Sequence, residues 1–74
     1  MDLIDPRNVS EIFFDGIHEV KITRGIARIV LFSRQDGTGT VEARLRCPLS
    51  ELPDIIQALV IALTKAAGSG RKSP

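Results

Sequence analysis

The chain has 74 residues, with ten Lys or Arg, nine Asp or Glu and three aromatic residues, all Phe. That length allows one domain, and a net charge of +1 removes any case from bulk charge for nucleic acid or membrane binding. A single Cys and a single His exclude an internal disulfide and a four-ligand structural zinc site.

Residues 1–9 hold Asp2, Asp5, Pro6 and Arg7 without periodicity and read as a flexible N-terminus. The two aspartates and the lack of an apolar run after Met1 are wrong for a secretory leader, so a cytoplasmic protein is expected. Ser10–Phe14 reads as a short edge strand ending at the turn dipeptide Asp15-Gly16. Residues 17–23 alternate, with Val20 and Ile22 on one side and Glu19 and Lys21 on the other, which is the period of a strand. Arg24-Gly25 separates this run from residues 26–35, rich in Ile, Val, Leu and Phe, and predicts a tight hairpin. Arg24 suits a positive φ poorly, which leaves the turn type open.

Residues 40–47 alternate again: Val41, Ala43, Leu45 and Cys47 against Thr40, Glu42, Arg44 and Arg46. Register constrains this strand. A two-residue loop at Arg24-Gly25 places Val20, Ile22, Ala27, Ile29 and Leu31 on one face. A simple loop over Asp36 to Gly39 then puts Arg44 and Arg46 on that apolar face. A slip of one residue flips every side chain of a strand and corrects this. An odd loop or a bulge near Gly37 or Gly39 is therefore expected. The corrected sheet points Val20, Ile22, Ile29, Leu31, Val41, Ala43 and Leu45 at the helix. Its outer face carries Lys21, Arg28, Arg44 and Arg46, with Glu19, Glu42, Ile17, Val30 and Phe32 among them.

Pro48 ends the strand, Ser50 offers an N-cap, and a helix is predicted over residues 51–67. Pro53 falls in its first turn, where a missing N–H costs nothing. Eleven of its seventeen residues are apolar. At about 100° per residue they sweep roughly 200°, where a single buried face needs little more than about 100°. Residues 68–74 are small and polar and read as a disordered tail. The fold class is α+β: an antiparallel meander of three to four strands followed by one C-terminal helix, in a single domain over residues 10–67.

A core of under sixty residues buries only about 60% of its unfolded surface and is marginal alone, so small domains add disulfides, a metal or oligomerisation. With disulfide and metal absent, oligomerisation remains, and the surplus apolar arc supplies the surface. The leading expectation is a non-enzymatic interaction module that forms a homodimer or tetramer through Ile56, Ala58, Val60, Ile61 and Ala62. The alternative is single-stranded nucleic acid bound on the outer face by Lys21, Arg28, Arg44 and Arg46, with Val30 and Phe32. Val30 and Phe32 also offer a docking patch for another protein. No catalytic residue, metal or cofactor is expected. His18 lacks spaced partners for chemistry, Cys47 reads as a small core hydrophobe, and Gly37-Thr38-Gly39 lacks the Lys and the following helix of a phosphate loop. The helix is broken by Asp54, Gln57 and Thr64 and is too short in apolar run to span a bilayer.

Two resemblances follow from these residues. Phe14-Asp15-Gly16-Ile17, Gly25-Ile26-Ala27-Arg28-Ile29 and a strand running into Pro48-Leu49-Ser50 and an apolar helix resemble a group of small bacterial proteins with the same outline. The resemblance covers about Ile12 to Leu63 and implies the fold alone. Val20-Lys21-Ile22, Ala27-Arg28-Ile29-Val30-Leu31 and the step from Leu45 to Leu52 are similar in order to the single-stranded-DNA-binding coactivator domain. That resemblance implies a meander dimerising through its helix. The family's sheet is rich in Lys and aromatic residues, whereas these strands carry Glu19 and Glu42 and no Trp or Tyr.

Overall fold

The computed structural model describes residues 1–70. Three antiparallel strands form one sheet in the order β1-β2-β3: β1 Gly16–Thr23, β2 Ile26–Gln35 and β3 Thr38–Pro48. A single 3-10 turn, Leu49–Glu51, leads into the helix α1, Leu52–Gly70. Of the three to four strands expected, three form. Ser10–Phe14 has no regular structure and lies outside the sheet. The sheet is instead extended past Gly16 by Asp15, whose N–H donates to the Phe32 carbonyl at 3.0 Å. The Asp15 carboxylate accepts from the Arg34 N–H at 3.2 Å.

Both hairpins turn through two residues. Arg24 and Gly25 have φ of 54° and 76°, and Asp36 and Gly37 have 54° and 79°. Two successive positive φ values give the turn whose twist matches that of the flanking strands. The second turn pairs Gln35 with Thr38, so β3 begins two residues earlier than alternation placed it. The slip of one residue occurs, but in the body of the strand. Phe32 pairs with Val41 and Leu31 with Ala43, leaving Glu42 as the extra residue. A second bulge leaves His18 extra in β1, where Ile17 pairs with Leu31 and Glu19 with Val30.

These bulges sort the faces. Ile17, Val20, Ile22, Ala27, Ile29, Leu31, Ala43, Leu45 and Cys47 share the inner face by register. Ile17 is thus on the opposite face from the one expected. Val41 moves to the outer face opposite Phe32, and Glu42 leaves the basic face altogether: its carboxylate accepts a hydrogen bond from the Ser33 hydroxyl.

The inner face is not covered. Among the described residues only Ala27 and Leu31, both on the central strand, are buried. The expected helix-on-sheet packing within the chain does not form: α1 is exposed from Pro53 to Gly68, and its main neighbour is the 3-10 turn that precedes it. No irregular residue separates β3 from that turn or the turn from α1. The Leu49 N–H also donates to the Gly25 carbonyl at 2.7 Å, tying the connection to the tip of the first hairpin. Strand direction is therefore handed on to the helix through one fixed turn. Ser50 lies inside this turn rather than capping it, and the residue in the cap position, Pro48, makes no side-chain cap bond. The helix continues through Gly68 to Gly70. Residues 71–74, the rest of the expected tail, lie outside the described residues.

Candidate functional site

Three surfaces stand out. The first is α1. From Pro53 to Gly68 every residue is exposed, and Leu59 and Leu63 keep 67% and 69% of their accessible surface. The predicted interface residues Ile56, Ala58, Val60, Ile61 and Ala62 all lie here, none of them enclosed by the chain's own strands. Ile61 falls outside the apolar arc, between Asp54, Gln57 and Lys65 at helical spacing. Thr64 returns its hydroxyl to the Val60 carbonyl at 2.9 Å, so the polar break in the helix is satisfied locally.

The second is the inner sheet face. Ile17, Val20, Ile22 and Leu45 are all exposed there. No polar pattern marks this surface, since its residues look like ordinary core positions. Only their lack of a covering element turns them into a site.

The third is the outer face. Register sets Lys21, Arg28 and Arg46 directly opposite one another across all three strands. The next row is Glu19, Val30 and Arg44. These rows line a shallow trough. Like charges placed opposite in a sheet repel, and the row of three cations contains no carboxylate. All six residues expected on this face, Lys21, Arg28, Val30, Phe32, Arg44 and Arg46, are brought together on it.

Phe32 is engaged more closely than its sequence position shows. A Cβ on Gly16 would stand 2.6 Å from its Cζ, so the ring occupies the space that only glycine leaves free. The Arg34 guanidinium lies over the ring at 5.1 Å from its centre, and His18 meets it edge-on at 6.4 Å. The arrangement of cation, ring and glycine is an internal stack. It lies beside both bulges. His18 is thereby a packing partner of Phe32. Its bulge position, which carries no sequence signal, is what turns it there.

Cys47 pairs with Ala27 at the end of the inner face and is half-buried. Among the described residues, no group of three or more His, Cys, Asp or Glu is placed to hold a metal ion, and no helix is long and apolar enough to cross a membrane. No family model matches the chain, and neither does any curated protein or solved structure, so fold and surface chemistry carry the functional reading.

Proposed function

We propose that the protein is an interaction module that assembles with itself through α1. One observation carries this reading: the chain alone leaves its apolar elements in water. Its accessible surface is 6892 Å². A folded monomer of its 8.1 kDa mass has about 4,500 Å², so the excess is roughly 2,400 Å². The radius of gyration, 15.4 Å, compares with about 11 Å for a compact domain of this length. Residues 1–15, all exposed, α1 and the inner sheet face contribute to the excess. Two copies joined over such surfaces bury an area in the range of about 2,000–5,000 Å² found in obligate dimers. Each Leu or Ile side chain removed from water contributes about 1.5–3 kcal/mol before association costs.

Light scattering at micromolar concentration tests the proposal. A dimer or larger species is expected, and an 8 kDa monomer overturns it. Val60→Glu is expected to weaken assembly by two orders of magnitude or more, because a carboxylate taken into an apolar interface loses its hydration.

The register of Lys21, Arg28 and Arg46 favours a second activity, the binding of single-stranded nucleic acid along the outer face. A phosphate chain crossing that row relieves the repulsion of three aligned cations, and Arg44 extends the track. Affinity for a short oligonucleotide is expected to fall roughly 20- to 50-fold between 50 and 200 mM salt if three or four phosphates are neutralised. The pair Arg44→Glu and Arg46→Glu is expected to abolish it. No binding at low salt removes this reading and leaves the assembly untouched.

A further inference from the structure

We infer that the inner sheet face is the seat of α1 from a second copy, so that two chains exchange helices. The inference rests on the assembly reading and adds which surface receives the helix.

The two surfaces fit each other. The inner face offers Ile17, Val20, Ile22, Ile29 and Leu45 around the buried Leu31, all apolar, on three strands. Neighbouring strands lie about 4.8 Å apart, so three of them present a strip about 10 Å wide. That is the diameter of one helix. The nineteen residues of α1 extend about 28 Å, close to the roughly 33 Å of the ten-residue β2. A single α1 therefore covers the sheet along most of its length.

The chain's own helix is not positioned to do this. β3, the 3-10 turn and α1 follow one another without a linker residue, and the Leu49–Gly25 bond holds the turn. Folding α1 back onto its own sheet requires the 3-10 turn at Leu49–Glu51 to leave this conformation. A second copy delivers the same helix without that change. If α1 of one chain sits on the sheet of another, a two-fold axis makes the contact twice and closes the dimer. Each chain then has both its bare surfaces covered by one partner. The outer face, with its aligned cations, stays outside the interface.

Cys47 supplies a native probe, because it lies at the end of the inner face. Ile55→Cys, Leu59→Cys and Leu63→Cys each place a thiol on exposed helix surface. Each variant is prepared with Cys47 and with Cys47→Ser, oxidised mildly, and mapped by mass spectrometry beside light scattering. The expected result is a covalent dimer from at least one position, joining Cys47 of one chain to the helix thiol of the other and lost with Cys47→Ser. A covalent dimer that forms equally with Cys47→Ser shows helix packed on helix and overturns the inference. An intramolecular link within a monomer shows the helix on its own sheet and overturns it too. A dimer by scattering with no mixed link at any of the three positions also overturns it, leaving the inner face to residues 1–15 or another cover. A chain monomeric throughout defeats the assembly reading itself.

Discussion

The central strand and the helix are opposites in how their needs are met. β2 is hydrogen-bonded on both sides and holds, among the described residues, the only buried side chains, Ala27 and Leu31. α1 satisfies its backbone internally, as any helix does, yet leaves every residue from Pro53 to Gly68 exposed. Backbone order in this molecule is a property of one chain, whereas under the proposed assembly apolar burial comes from another. Helical stability in proteins comes mostly from tertiary packing of an apolar face, so the proposed assembly would couple folding of α1 to association.

The sharpest way to break this comparison is to truncate one side chain in each region. Leu31→Ala is expected to destabilise the chain by about 2–4 kcal/mol at every concentration, read as a fall in the denaturation midpoint. Leu59→Ala is expected to have little effect on a dilute chain and to cost about 1.5–3 kcal/mol only where dimers form. Equal losses for both at all concentrations would mean that α1 is packed within its own chain. A smaller effect probes the end of the sheet. Gly16→Ala drives a methyl group into Phe32 and must displace the ring from beneath Arg34, at about 1 kcal/mol. An unchanged Phe32 ring signal by NMR would sink that account. The smallest expected change is a gain. Arg24 holds a φ of 54°, which Asn tolerates better, so Arg24→Asn should stabilise the first hairpin by a few tenths of a kcal/mol. A lower melting temperature would show that Arg24 contributes elsewhere.

Much of the fold is legible in the residues because local signals agree. Alternation in residues 17–23 and 40–47, the two glycine-bearing turns and the apolar periodicity after Pro48 each specify one element. Even the slip in β3 is readable, because without it Arg44 and Arg46 share a face with Ile29. Its location is not, because a bulge requires one surplus residue and Glu42 has no conformational mark that distinguishes it from Thr40. The bulge at His18 is silent for the same reason, and Ile17 changes face with it. The helix shows a different kind of limit. An apolar arc records that a surface is to be buried but not by what, and the same Leu59 serves a helix folded back or one reaching outward. The basic row becomes visible only when register aligns three residues from three strands.

The paired bulges have a consequence for how copies can meet. Both flanking strands, β1 and β3, carry an irregularity at neighbouring levels of the sheet, β1 opposite Val30 and Leu31 and β3 opposite Leu31 and Phe32. A surplus residue bends its strand and sharpens the local twist. Neither border thus offers a long straight run of open donors and acceptors to an incoming strand, the usual route to uncontrolled stacking. Lateral growth is discouraged on both sides, while the broad faces stay open to encounter.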